Sequence, residues 1–325
     1  MIKIIFLFVG LLFNGCDKDP VIVKPDDTPD TTEHTFRVTG YFYGDLINDV
    51  SKVEFEKLTD INIAFINPDY LGKFKQKNGL AEFVQAAHQH QVKVLISIGG
   101  GSAPTYLKDL IKPAFRGVFI SNIKHLIDSL QIDGVDIDLE GEMITNNYES
   151  FMLALKDSIK PKKMLTAAIA TYQAAKFTGP IIAALDYITI MAYDKTGPWN
   201  PSNPGPHSTY EHAVNDLDIW LKKVNSKKEK LNLGVPFYGY GFNGSIVLDW
   251  KYSRIIRNYP GAENFDEISM NGGGTMYYNG IPTMKRKTSL AMDKAGGVSI
   301  WHILADTIGN KSLLNAIQEE IIKTK

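Results

Sequence analysis

Eight short apolar runs, most of them separated by longer amphipathic stretches, constrain this chain more than any other feature of its sequence. The short runs are FRVTGYF (36–42), INIAFIN (61–67), KVLISIGG (93–100) and GVDIDLE (134–140), then MLTAAIAT (164–171), YITIMAYD (187–194), LNLGVPFYG (231–239) and GVSIWHI (297–303). Runs of this length and composition read as strands. Between them lie helical patterns such as LAEFVQAAHQHQ (80–91), AFRGVFISNIKHLIDSLQ (114–131) and EHAVNDLDIWLKKV (211–224), and SLLNAIQEEIIKTK closes the chain. Eight strands with helices between them over about 290 residues fit a (β/α)8 barrel, an α/β fold. A doubly wound open sheet is the alternative. It needs a glycine fingerprint opening a helix after the first strand, and TGYFYGDLIND offers none. No internal repeat at a solenoid period is visible.

In such barrels chemistry gathers where strands reach their carboxyl ends. Glu140 closes the fourth strand, Tyr193 and Asp194 close the sixth, and Trp301 lies near the end of the eighth. The fourth strand is the most unusual. In DGVDIDLEGE (133–142), Asp136, Asp138 and Glu140 occupy every second position. Alternate side chains of a strand share a face, so three carboxyl groups fall within about 7 Å along it, at roughly 3.3 Å per residue. Gly134 shares that face, toward the barrel interior, while Val135, Ile137 and Leu139 face the helices. Asp133 is out of register and reads as the residue that leads into the strand.

Three uses of such a cluster are open. A metal site built from carboxylates alone favours hard ions such as calcium or magnesium, yet the strand holds no His and the chain no twelve-residue calcium loop. A structural role needs a cation for each carboxyl, and the strand supplies none. General acid–base chemistry uses the crowding: like charges this close do not all ionise, so one carboxyl keeps its proton near neutrality.

The signature DGVDIDLE resembles, position for position, the D-G-x-D-x-D-x-E motif of glycoside hydrolase family 18, the chitinase and endo-β-N-acetylglucosaminidase family. SIGG (97–100), MAYDKTGPW (191–199), LGVPFYGYGF (233–242) and GGVSIWHILAD (296–306) are similar to the family's third, sixth, seventh and eighth strands. VTGYF (38–42) and NIAFIN (62–67) resemble the first two. The likeness runs in order over 36–310 and implies a single catalytic TIM barrel over 36–325. It implies that Glu140 protonates the leaving oxygen of a glycosidic bond and that the substrate's own 2-acetamido carbonyl attacks the anomeric carbon. Asp138 then holds the acetamido N–H, Asp136 behind it shares a proton, and Tyr193 donates to the acetamido oxygen. Trp301 forms the floor under the sugar. Tyr41, Phe65, Met191 and Asp194 match positions near the same subsite, and Trp199 serves an outer subsite or caps its own loop. Large members of the family insert an α+β subdomain after the seventh strand. Here about 55 residues separate the last two strands and must also hold a helix, so a compact barrel with a shallow groove and no large insertion is expected.

The resemblance implies a chitinase-like hydrolase of β-1,4-linked N-acetylglucosamine. An endo-β-N-acetylglucosaminidase cutting the chitobiose core of N-glycans is an alternative, and a non-catalytic glycan-binding protein is another. No cofactor or metal is implied. A net charge of −1 and a pI near 6.7 give no footprint for nucleic acid. The run KKVNSKKEK (222–230) reads as a solvated helix end. GGGS (99–102) lacks the Lys of a phosphate loop, NGGGT (271–275) is a flexible turn, and HQH (88–90) puts two His where they share no helix face.

The N-terminus is the remaining signal. Lys3 precedes an apolar run from Ile4 to Phe13, too short to span a bilayer and laid out like a secretory signal. Gly15 then stands before Cys16, the chain's one cysteine, which resembles a bacterial lipoprotein signal with Cys16 lipidated, although Phe13 and Asn14 depart from the usual box. Residues 17–35, DKDPVIVKPDDTPDTTEHT, have linker composition. The expectation is a signal over 1–16, a tether over 17–35, and a monomeric domain held to the bacterial envelope by lipid. With one cysteine, no disulfide forms within the chain.

Overall fold

The computed structural model describes residues 36–324. The expected signal, Cys16 lipidation site and tether lie outside the described residues. Each of the eight apolar runs forms a strand: β1 (Arg37–Phe42), β2 (Asp60–Ile63), β3 (Lys93–Gly99), β4 (Gly134–Asp138), β5 (Met164–Ile169), β6 (Tyr187–Ile190), β7 (Leu231–Pro236) and, after four further strands, β12 (Gly297–Trp301). They close into a parallel barrel in which β1 pairs with both β2 and β12. The outer layer holds α1 (Leu80–Gln89), α2 (Leu107–Leu110), α3 (Arg116–Ser129), α4 (Tyr148–Ile159), α5 (Gly179–Ala184) and α6 (Tyr210–Lys223), with α8 (Ile281–Lys294) and α9 (Leu313–Thr324) completing it.

Helix-period patterning explains that layer. In α1 the buried positions are Leu80, Phe83, Val84 and Ala87, a stripe at i, i+3, i+4 and i+7. In α4 they are Tyr148, Phe151, Met152, Leu155 and Ile159. α6 starts on a capping box, with the Thr209 hydroxyl accepting from His212 N–H and the His212 ring accepting from Thr209 N–H. These stripes meet the outer faces of the strands, where Val135 and Ile137 of β4 belong to the main apolar cluster, as does Leu139 just after it.

The lumen is polar. Asn232 donates to the hydroxyls of Thr39 (3.1 Å) and Ser299 (3.2 Å), Ser299 pairs with Thr189 at 2.9 Å, and Arg37 Nε donates to Asn232 Oδ1 at 3.0 Å. Every one of these groups comes from a different strand except the β12 and β1 pairs, so the lumen is tied together across the barrel. Asp133 leads into β4 as expected: its Oδ2 accepts from Val94 N–H of β3 and lies 2.8 Å from His88 Nε2.

The connection between β7 and α8 differs from the plain loop and helix that its length suggests. The apolar run at 231–239 breaks at Phe237, and a second sheet begins. It comprises β8 (Tyr238–Asn243), β9 (Ile246–Lys251), β10 (Glu267–Ser269) and β11 (Thr275–Tyr277), antiparallel in the order β10-β11-β8-β9, with α7 (Tyr252–Asn258) between β9 and β10. The insertion is small, but it builds one wall of the cleft at the barrel mouth.

Candidate active site

The strand period places the acidic side chains as the sequence predicts. Asp136, within β4, points into the lumen and is surrounded by hydroxyls. Tyr41 Oη (2.9 Å) and Ser97 Oγ (2.8 Å) donate to its Oδ2, and Thr166 Oγ1 (2.7 Å) donates to its Oδ1. These donors arrive from β1, β3 and β5. Asp138 ends the strand two residues further toward the mouth and is also buried, yet its Oδ1 has no hydrogen-bond partner. Glu140 lies beyond the last hydrogen-bonded residue but stays extended, with φ −115° and ψ 159°. That conformation carries the alternation one step further, so Glu140 remains on the inner face.

Burial, more than crowding, sets the protonation of these groups. It pushes the Glu140 carboxyl up to about 7, with Asp194 adding to the effect. Asp138 is raised well above the usual carboxylate range, first by burial and then by Glu140 and Asp136. Asp136 is also raised by burial, but its three hydroxyl donors oppose the rise. The expectation that Asp136 shares a proton with Asp138 is not met here: both Asp136 oxygens are engaged by hydroxyls instead. Three donors on one carboxylate suit an anion and do not suit a metal ligand, whose lone pairs must face the ion.

Above the carboxyls lies a cleft of about 920 Å³ lined by Phe65, Asp138, Glu140, Met191, Tyr193, Asp194 and Trp301, with Tyr238, Tyr240 and Asp249 from the insertion. A larger, mainly apolar groove of about 1090 Å³ lies outside the barrel between α1 and α3 and contains none of the strand-end carboxyls. The Trp301 ring stacks on Phe65 at 5.5 Å and meets Tyr41 edge-on at 5.6 Å. Gly99 and Gly100 make room on the opposite side. A Cβ on Gly99 would lie 2.0 Å from the Asp138 carbonyl oxygen, and one on Gly100 would lie 2.4 Å from the Phe65 ring. The SIGG run is therefore a close approach between β3, β4 and the aromatic floor. Burial and the neighbouring carboxyls hold the Tyr193 phenol well above its ordinary value, so it stays a proton donor.

Two expected sugar contacts are placed differently. Tyr41 is 2% exposed, sits beneath Trp301 and spends its hydroxyl on Asp136; it supports the floor and does not line the cleft. Trp199 is 61% exposed, covers Gly197 and stands edge-on to Tyr240 at 6.0 Å, outside the residues that line the cleft. Asp194 lies within the cleft with φ 58° and accepts from Tyr238 Oη and, at 3.1 Å, Tyr240 Oη. Buried His207 fills the space between those two tyrosine rings, at 4.9 and 5.0 Å.

Several cleft residues escape sequence reasoning. Tyr43, 54% exposed, lies against both Trp301 (5.7 Å) and Phe65 (6.4 Å). Tyr238 and Tyr240 had a signal, since Tyr-Gly-Tyr-Gly-Phe at 238–242 repeats aromatics at the strand period. Ser97 and Thr166 had none, because a small hydroxyl in a strand is ordinary.

The comparisons agree with this geometry. The model of glycosyl hydrolases family 18 matches residues 37–306. A family 18 chitinase from the chitin utilization locus of Flavobacterium johnsoniae is 35% identical, with a TM-score of 0.84 over 90% of this chain and 95% of that one. A chitinase from Bacteroides thetaiotaomicron is 25% identical, with a TM-score of 0.76 over 89% and 97%. A chitinase-like effector of Moniliophthora roreri is 27% identical over 67% of this chain, which spans 64% of that protein. A parallel eight-stranded barrel, an acidic fourth strand and a family match over most of the domain lead to one assignment: the chain belongs to glycosyl hydrolase family 18.

Proposed function

We propose that the protein is a retaining glycosidase that cleaves β-1,4 links between N-acetylglucosamine units, with Glu140 as general acid and base. The observation that carries this reading is the contrast within one strand. Glu140 at the cleft holds its proton up to about 7, while the buried Asp138 below it presents an oxygen with no protein partner. A protonated acid reaches the glycosidic oxygen, and the free Asp138 oxygen accepts the N–H of the substrate's acetamido group. Tyr193 donates to the acetamido carbonyl and aligns that oxygen on the anomeric carbon. The carbonyl attacks as the C–O bond breaks and Glu140 gives its proton to the leaving sugar. An oxazolinium ion results, and its charge is balanced by Asp138. Water, deprotonated by Glu140, opens the ion from the same face, so configuration is retained.

An internal nucleophile supplies the large effective concentration of an intramolecular reaction, so the protein's task is orientation. The Trp301–Phe65 stack gives the sugar a flat apolar surface, and the buried carboxyls stabilise the developing cation where water is scarce. The chitinase names of the Flavobacterium and Bacteroides proteins support this substrate class. The full set Asp136, Asp138, Glu140 and Tyr193 supports catalysis over binding alone. We further propose a monomeric catalytic domain tethered to the bacterial envelope through lipidated Cys16, which labelling with radioactive palmitate would detect and Cys16→Ala would abolish.

Incubation with chitohexaose and with a high-mannose glycoprotein, read by mass spectrometry, tests the substrate. Cleavage of chitohexaose with retained anomeric configuration is expected. Release of N-glycans alone would move the substrate to the chitobiose core, and binding without turnover would make the protein a lectin.

A further inference from the structure

Glu140 has a weakness as a catalytic acid: its carboxyl oxygens take no hydrogen bond from any other described residue. Its position therefore rests on its backbone, which leaves the strand at that point. The next residue, Gly141, has φ 57°, the left-handed region that favours glycine, and open space surrounds the place a Cβ would take. Nothing in β4 holds this turn, because the strand ends at Asp138.

The holding group comes from the loop after β5. Gln173, 6% exposed, grips Gly141 at both ends of the residue. Gly141 N–H donates to Gln173 Oε1 at 3.0 Å, and Gln173 Nε2 donates to Gly141 O at 2.9 Å. The paired amide contacts imitate one rung of a sheet ladder, so the strand is in effect extended past Glu140 by a side chain. Lys176 Nζ adds a bond to the same carbonyl at 3.1 Å and to Ile144 O at 3.1 Å.

We propose that Gln173 is a positioning residue for the acid: its carboxamide fixes the Gly141 backbone and thereby aims the Glu140 carboxyl at the glycosidic oxygen. This rests on the proposed role of Glu140. An amide fits the task because it supplies one acceptor and one donor in a plane without charge. A carboxylate in its place would accept from Gly141 N–H but face the Gly141 carbonyl with a lone pair.

The test compares Gln173→Ala, Gln173→Glu and Glu140→Gln with the native protein on 4-nitrophenyl N,N′-diacetylchitobioside, with rates expressed per folded molecule. Gln173→Ala should lower kcat about 10- to 100-fold with KM within about threefold, as expected for a misaimed reacting group. Gln173→Glu should recover relative to native as pH falls from about 7 to about 4, because only the protonated acid donates to Gly141 O. A kcat for Gln173→Ala within twofold of native, or a Gln173→Glu rate ratio that is flat with pH, would overturn the proposal while Glu140→Gln remains inactive. A Glu140→Gln variant with native turnover would instead overturn the assignment of the acid, and the role of Gln173 with it.

Discussion

Replacing Glu140 by Gln should make the protein more stable and inactive at once, with a stability gain that depends on pH. Glu140 shifts from its ordinary 4.5 to about 7 mainly because it is buried. At about 1.4 kcal/mol per pH unit, its ionised form is disfavoured in the folded state by about 3 kcal/mol, or about 2–3 kcal/mol after allowance for its partial exposure. The folded value lies above the unfolded one, so the folded state binds the extra proton between about 4.5 and about 7. The associated stability is complete below that window and is lost as pH rises through it. Gln carries no charge at any pH and escapes the loss. Thermal melts of both proteins should coincide near pH 4.5 and separate by about 3–5 °C near pH 8, at ~2.1 cal/mol/K of unfolding entropy per residue over about 290 residues. Turnover of chitohexaose should meanwhile fall by at least about 10³-fold. Equal melting differences at the two pH values would refute burial as the cause of the raised value.

Other consequences follow from the same geometry. Because the acid must be protonated, kcat/KM on chitohexaose should decline as pH rises through about 7, and a decline centred near 4.5 would contradict the burial of Glu140. Thr166→Val removes the 2.7 Å donor to Asp136 and should cost about 1–3 kcal/mol in urea unfolding; no change in midpoint would mean that the hydroxyl is idle. Trp301→Ala should raise KM about tenfold with a smaller effect on kcat, measured on the same oligomer. Lys287 is fully buried and donates to Ser208 O (2.8 Å), Ser208 Oγ (2.7 Å) and Asn279 Oδ1 (2.7 Å), so Lys287→Met should leave three unpaired acceptors and lower the melting temperature by several degrees.

Much of this site is legible in the sequence because strand alternation is a local rule. Gly134, Asp136, Asp138 and Glu140 share a face wherever the chain is extended, and Glu140 proves extended even past the end of β4. What surrounds Asp136 is not local. Tyr41, Ser97 and Thr166 are 95, 39 and 30 residues away along the chain, and no spacing relates them until the barrel closes. The insertion was hidden for another reason. β10 and β11 are three residues long, shorter than any periodic signal, and the aromatic alternation of β8 runs straight on from β7. α4 is the reverse case, since its buried stripe is complete in the sequence without any help from the fold. Crowding and burial, finally, predict the same direction of shift, and only the packed structure separates them.

The three carboxyls show how one strand assigns three tasks. All are raised by burial, yet the donors that reach them thin out toward the mouth: three hydroxyls on Asp136, a free Oδ1 on Asp138, no hydrogen bond on the carboxyl of Glu140. Hydrogen bonds to a carboxylate favour its charged form, so negative charge is easiest to hold at the floor and a proton is easiest to hold at the rim. The leaving oxygen of a bound sugar lies at the rim and needs that proton. The cation that forms as the bond breaks lies deeper and needs the charge. A polar lumen, unusual for a barrel otherwise filled by branched apolar side chains, is therefore part of the chemistry: it supplies the hydroxyls that let Asp136 carry charge and leaves Glu140 as the group that gives a proton away.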